Sequence, residues 1–317
     1  MAVSATVSVI IPTFNVAAIV GRAIEGASNQ TLKPLEIIVV DNCSTDGTAE
    51  AVRKLENPLV RLIVEPSNIS KARNIGFAAA KGKWLAVLDA DDSMLPERLE
   101  RMVEVAESKG ADCVFDNVIE WDIIANRQVR IGAKLDEPLR QITAIDLYEN
   151  EHDFNFRNFS YGLLKPILLR SFMTKNNIWY REDLPTGEDF TLFAEVFLNG
   201  AKTFLMRDAY YVYSMPTPPS GRSPYTRSKH DFSKILAASD ALQEKYKDRI
   251  DTKLAALIAK RRNVLLLVHQ ANVAKQYRVS NQYLKYAWYV GTKPDLVRNL
   301  FSRSLYKVQK RLQASGR

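Results

Sequence analysis

Three acids crowd into four positions at Asp89-Ala90-Asp91-Asp92, directly after an apolar run from Trp84 to Leu88. A strand that leaves a core and ends in clustered carboxylates suits a hard cation or a polar ligand at its tip. Asp89 and Asp91, one residue apart, can face one ligand across a tight turn. The competing reading is a strand end followed by a helix cap. It is adopted for Asp92 and Ser93, which stand where they could cap a helix through Met94-Leu95-Pro96-Glu97-Arg98-Leu99. A cap needs only one acid, so Asp89 and Asp91 are read as ligand-binding. A second acidic pair, Glu188-Asp189, lies in Leu184-Pro185-Thr186-Gly187-Glu188-Asp189-Phe190, just before a helix expected over Thr191 to Asn199. Acids in a first helical turn complement the helix dipole, and on the residues alone that account suffices. His230 is a possible metal or diphosphate ligand, set against the commoner structural role of a lone histidine.

The elements that must position these groups are short and alternate. Val7 to Ile11 reads as a buried strand closed by Pro12-Thr13-Phe14-Asn15, followed by helical spacing from Val16 to Ser28. Leu35 to Val40 is a second strand, closed by the turn-forming run Asp41 to Thr48 and followed by a helix over Ala49 to Leu55. Val60 to Val64 is a third strand, Asn68 opens a helix to Ala80, and Trp84 to Leu88 is a fourth strand. Strands alternating with helices imply βαβ units, an α/β fold and a mostly parallel sheet. In such sheets ligands bind beyond the carboxyl ends of the strands. Three of those ends carry polar residues: Thr13 to Asn15, Asp41 to Thr45, and Asp89 to Asp91. Each alone reads as a loop or cap; together on one sheet edge they read as a pocket.

Several classes are set aside. No G-x-G-x-x-G follows the first strand, which argues against a dinucleotide-binding oxidoreductase. Gly76 to Lys83 has the glycines one residue too far apart for a phosphate loop, and Trp84 stands where Ser or Thr should be. The composition, 46% hydrophobic and 25% charged over 317 residues, is that of a globular protein. Two cysteines, Cys43 and Cys113, make neither a disulfide framework nor a metal-ligand pattern and point to a reducing compartment. The first apolar run is too short for a signal peptide and no window is long enough for a transmembrane helix, so a cytoplasmic location is expected. From His230 to Arg317 there are 18 Lys/Arg against 6 Asp/Glu, leaving the first 229 residues at −4 of a total of +8. That asymmetry favours a polyanionic partner.

The run from Val9 to Asp92 resembles the family 2 glycosyltransferases. The matching text is VIIPTFN at 9–15, IIVVDNCSTDGT at 37–48, NISKARNIGFAAAKGKWLAVLDADD at 68–92 and GEDF at 187–190. Within that family it is most similar to bacterial exopolysaccharide and lipid-linked-oligosaccharide enzymes. The resemblance implies a GT-A fold over residues 1–215, with a nucleotide-sugar half to about 110 and an acceptor half over 111–215. It implies that Thr13, Phe14 and Asn15 line a nucleoside pocket, that Asp41 accepts from the base edge, and that Asn68 and Arg73 contact the nucleotide. Asp89 and Ala90 would sit by the ribose, and Asp91 would ligate Mg²⁺ or Mn²⁺ on the diphosphate. Asp189 would be the general base toward the acceptor hydroxyl, with Glu188 binding or orienting the acceptor. The partners implied are a UDP-sugar donor and a saccharide acceptor carried on a lipid. The processive members' Gln-x-x-Arg-Trp motif is not present, which favours addition of one sugar per event.

Beyond Asp92, the expectations are a helix from Leu95 to Ser108, a strand at Cys113 to Phe115, and a polar excursion over Ala125 to Ile145. Phe154 to Phe159 is a strand or lip of the site, and Leu163 to Phe172 is a strand–turn–helix connection. Residues 216–229, rich in Pro, Ser and Gly, are a linker or a flap over the diphosphate. Residues 230–317 form a basic helical region with Tyr, Trp and Leu among its lysines and arginines, suited to an anionic membrane surface on the inner face of the cell membrane. The alternatives are a sugar-phosphate nucleotidyltransferase, which would need a Gly-rich loop after the first strand, and a basic nucleic-acid-binding protein. No aromatic-interleaved single-strand motif supports the latter, and no nucleic-acid partner is expected.

Overall fold

The computed structural model describes residues 6–151, 159–215 and 232–298. Among the described residues ten strands form one sheet. Its main path runs β3 (Val60–Val64), β2 (Glu36–Asp41), β1 (Val7–Thr13), β4 (Trp84–Val87), β9 (Ile167–Leu169), β6 (Cys113–Asp122), β10 (Thr203–Met215), β5 (Ser93–Met94). The first four are parallel to one another, and β9 runs antiparallel to both β4 and β6. β7 (Arg127–Ile131) pairs with β6 and β8 (Leu139–Ile142) with β10, both antiparallel. The expected α/β sheet is therefore present, wholly parallel in its first half and mixed in its second.

The local chemistry explains the elements. Every residue of β1 is buried, as is all of β2 after Glu36, so these strands read as near-continuous apolar runs rather than as alternating ones. α1 (Val20–Ser28), α2 (Thr48–Lys54) and α3 (Ile69–Ala79) connect them. Asn68 caps α3 by accepting the Lys71 N–H at 2.9 Å. α3 lies so close to β1 that a Cβ on Gly76 would sit 2.3 Å from the Ile10 side chain, so only glycine fits there. The first helix begins at Val20 rather than Val16 because Val16 and Ala17 are engaged with the second loop: Val16 N–H donates to Thr48 Oγ1 and Ala17 N–H to Asp46.

Two expectations are corrected. Asp92 and Ser93 do not cap a helix: α4 spans Arg98–Lys109, and Ser93 belongs to β5. Asp92 is instead buried against β10, accepting from the Tyr211 hydroxyl at 2.6 Å and the Ser214 N–H at 2.8 Å. The segment 125–145 is not an excursion but supplies β7 and β8; β7 is exposed along its whole length, Val129 and Ile131 included, and β8 buries only Ile142 fully, so neither has the buried face that marks a strand.

α5 (Ala144–Glu149) and α6 (Arg170–Lys175) precede α7 (Glu188–Leu198), an almost wholly buried helix. Gly187 at φ +75° turns the chain into α7, a conformation glycine adopts without strain. α8 (Phe232–Lys245), α9 (Thr252–Val279) and α10 (Tyr283–Gly291) follow. Leu242, Tyr246, Leu254 and Ile258 of this region join the main core. A smaller cluster of Leu184, Ile235, Ala238 and Leu265 ties α8 and α9 to the approach to α7. Beyond that contact the chain opens to solvent, with Val279, Tyr283, Leu284 and Trp288 exposed. His230, the 216–229 segment, most of the lip at 154–159 and the chain after 298 lie outside the described residues.

Candidate active site

The carboxyl ends of β1, β2 and β4 converge, as parallel strands must when their polar residues follow the buried run. Between them is a pocket of about 210 Å³, lined by Thr13, Phe14, Asn68, Asp89, Ala90 and Asp91 among others, with Tyr213 of β10 opposite. Its scaffold is a set of short hydrogen bonds between loops. Thr13 donates to Asp41 at 3.0 Å, and the Ser44 N–H and hydroxyl donate to the same carboxylate at 3.0 and 2.5 Å. Asn15, at φ +53°, donates its N–H to Ser44 Oγ and accepts from the Thr45 N–H. Asp41 is thus buried below the pocket as a brace, whereas Asn42 reaches the pocket wall. The Asn42 side chain also accepts from the Ser67 N–H at 2.7 Å, joining the second and third loops.

The three acids of the turn have separate surroundings. Asp89 is held by Arg73 at 2.8 Å and Lys165 at 2.9 Å. Burial would raise its carboxyl, but Lys165 first and Arg73 next outweigh it and hold the group well below the usual carboxylate range. Asp91 projects an exposed carboxylate bonded only by its own backbone N–H. The protein crowded round it displaces water, and the charge of Asp89 adds to that, so its carboxyl lies above the usual range. Arg22 fixes the turn from behind, donating to the Asp91 carbonyl and to Ser214 Oγ. Asp92 is raised further, by burial and then by its two acidic neighbours. Their summed charge, after burial, also pushes the Tyr213 hydroxyl up to about 12.

Arg73 sits beneath the pocket rather than in it. Its guanidinium donates to Asp89, to Glu188 at 3.0 Å and to Asp189 at 3.1 Å, and lies 5.0 Å from the centroid of the Tyr180 ring. Lys165 completes the network, bonding Asp189 at 2.7 Å as well as Asp89. Three carboxylates therefore share two buried cations, and both acidic motifs of the sequence are joined through one guanidinium. Neither Lys165 nor Tyr180 was anticipated. A signal for Lys165 existed: a cation and a proline head the apolar run Ile167-Leu168-Leu169, and that run pairs antiparallel with β4. Antiparallel pairing sets the head of one strand beside the tip of the other, which is where the acids are.

Behind the network opens a second cavity of about 520 Å³, reached by Glu188 and Asp189 and walled by α8, α9, Glu151 and the turn Ser160 to Leu163. Asp189 thus stands between two spaces, tied to the floor of one and facing the other.

The described residues contain no cluster of three or more His, Cys, Asp or Glu arranged to enclose a metal. The donor chemistry fits an open cation site instead. Asp91 offers a hard, unpaired oxygen ligand at the pocket lip, and Mg²⁺ is commonly held by one or two carboxylates with substrate phosphates completing its shell.

The model for "Glycosyl transferase family 2" matches residues 8–162. The succinoglycan biosynthesis protein ExoO of Rhizobium meliloti is 33% identical over 251 residues, covering 76% of this chain and 68% of ExoO. ExoU of the same organism is 31% identical over 212 residues, 65% of this chain and 60% of ExoU. Among solved structures, S. aureus TarS 1-349 in complex with UDP-GlcNAc superposes with a TM-score of 0.69 at 18% identity, covering 92% of this chain and 81% of that one. With the strand tips, the acidic turn and the Gly-Glu-Asp motif in their expected places, the chain belongs to glycosyl transferase family 2: it is a glycosyltransferase on a GT-A fold.

Proposed function

We propose that this enzyme moves one sugar per event, with inversion, from a UDP-linked hexose of glucose type to a saccharide acceptor carried on a lipid, in the assembly of a surface polysaccharide. The observation that carries the proposal is the bridge between the two acidic motifs: Asp89 at the donor pocket and Asp189 at the second cavity are bonded to the same Arg73 and the same Lys165. A donor seated against Asp89 and an acceptor hydroxyl at Asp189 are then neighbours, as an in-line displacement needs. UDP-GlcNAc in TarS and the succinoglycan role of ExoO and ExoU support the donor class and the pathway class.

The residues divide the work. Phe14 and Thr13 border the nucleoside, Asn68 the adjoining edge, and Asp89 and Ala90 the ribose. Asp91 would hold Mg²⁺ or Mn²⁺, which neutralises a diphosphate leaving group. Asp189 takes the proton from the acceptor hydroxyl as it attacks the anomeric carbon. Its oxygens already accept from Arg73 and Lys165, and the Tyr180 hydroxyl donates to the same carboxylate, so one lone pair remains for the acceptor hydroxyl. Glu188, one residue earlier on α7, orients the acceptor. The test is UDP release from a panel of UDP-sugars, with and without chelator, using lipid-linked saccharides. Near-normal transfer by Asp189→Asn would remove the base, and full activity in chelator would remove the cation.

No helix among the described residues is long and apolar enough to cross a membrane. The exposed Tyr283, Leu284 and Trp288, on a net basic segment, favour docking on an anionic bilayer face. Co-sedimentation with phosphatidylglycerol vesicles but not with phosphatidylcholine vesicles is the expected result.

A further inference from the structure

The larger cavity contains a cation to which the reading above gives no task. Arg261 of α9 lines it and is only 4% exposed. Its guanidinium carbon lies 3.6 Å from the centroid of the Phe190 ring, and Phe190 is the chain neighbour of Asp189. Its Nε is buried with no hydrogen-bond partner. The acid whose charge acts on it is already engaged: Glu151 accepts from the Ser160 hydroxyl and the Gly162 N–H, and acts on Arg261 through charge alone, without a hydrogen bond between them. Burial lowers the guanidinium's affinity for its proton and raises that of the Glu151 carboxyl.

A guanidinium offers five N–H donors in a planar fork, and burying it without a matching oxyanion is unfavourable. Cation–π contact with Phe190 relieves part of that, but it satisfies none of the donors. The wall beside it is apolar, formed by Ile235, Val264, Leu265 and Val268. One cavity therefore presents a carboxylate for a hydroxyl, a buried cation packed on the ring of the next residue, and an apolar flank.

We propose that Arg261 recognises an oxyanion carried by the acceptor, close to the hydroxyl that Asp189 activates. This rests on Asp189 serving as the base in the same cavity. The two chemical sources of such an oxyanion are the phosphate that links a saccharide to its lipid and the carboxylate of an acidic sugar. The apolar flank lies along the alkyl part of the acceptor. Arg261 is then a specificity residue for the acceptor and has no part in donor binding.

The test uses the full chain and three probes in titration calorimetry with UDP and Mn²⁺ present: octyl glucoside, octyl glucosyl phosphodiester and octyl glucuronide. At least one anionic probe should bind about tenfold or more tightly than the neutral glucoside, the scale of a charge-assisted pair. A gain for the phosphodiester alone assigns the lipid-linking phosphate; a gain for the glucuronide alone assigns an acidic sugar. Arg261→Gln should abolish the discrimination while UDP affinity is unchanged. Glu151→Gln, which removes the opposing charge and keeps a hydrogen-bonding side chain, should tighten anionic probes several-fold and leave the neutral one alone. This second variant decides the matter where Arg261→Gln does not fold. Equal binding of all three probes, discrimination that survives Arg261→Gln, or no gain in Glu151→Gln would each overturn the proposal. A chain that discriminates the probes yet releases no UDP from any donor would uphold Arg261 and refute the transfer reading instead.

Discussion

The two cavities flanking Arg73 are built on different principles. The donor pocket, about 210 Å³, is made by strand ends whose loops hydrogen-bond one another at short range. The cavity behind it, about 520 Å³, gathers side chains from α7, α8, α9 and the chain near Glu151, segments more than a hundred residues apart in part. A pocket fixed by a sheet edge is rigid and suited to a part of the substrate that stays the same. A cavity walled by helices added later in the chain can change its lining without disturbing the sheet, which suits the part that differs between enzymes.

That contrast can be broken by mutation. The largest effect is expected from Asp189→Asn, which should cut transfer by about a hundredfold or more while leaving UDP affinity intact; loss of UDP binding as well would mean that the two spaces are not separable. Lys165→Met should come next, since removing one member of a buried charge network costs about 3 kcal/mol, read from urea unfolding. Asp91→Asn should weaken UDP by about tenfold in Mn²⁺ and not at all in EDTA, the scale of one charged ligand contact. Equal losses under both conditions would make Asp91 a nucleotide contact rather than a cation ligand. Asn68→Ala removes the cap of α3 and should lower stability by about 1 kcal/mol without altering discrimination among acceptors.

Acid should act gradually and on the shared network. In the folded chain Asp89 lies below its unfolded value, because Lys165 and Arg73 outweigh burial. A depressed carboxyl contributes stability that is complete above about pH 4, the unfolded Asp range, and is lost as pH falls through the folded value. In EDTA, the thermal midpoint of the wild type should therefore drop more steeply below that pH than the midpoint of Lys165→Met.

The same contrast accounts for what could be read from residues alone. β1 to β4 announce themselves because each is a short, mainly apolar run with a polar stop, and their tips must meet on one edge of a parallel sheet. Asp189 was recognisable only through its motif, since an acid in a first helical turn has an ordinary explanation. Asp92 misled for a related reason: it has the right type and place for a cap, and its real partners, Tyr211 and Ser214, are more than a hundred residues away. β7 and β8 were hidden because they bury so little: all of β7 is exposed and only Ile142 of β8 is fully buried. Arg261 lies in Lys260-Arg261-Arg262, where three cations in a row look alike, and only the packing of α9 singles out the middle one for burial.

α9 is 28 residues long, about 42 Å at 1.5 Å per residue. Arg261 is seated inside the enzyme, while the exposed Val279 ends the same rod some 18 residues on, about 27 Å away. With its outer end docked as proposed above, such a rod would work as a ruler. Whatever surface receives the aromatic turn at its outer end is kept at a set height from the point of sugar transfer, so the length of this helix would select how far a growing glycan must stand off from its anchor to be extended.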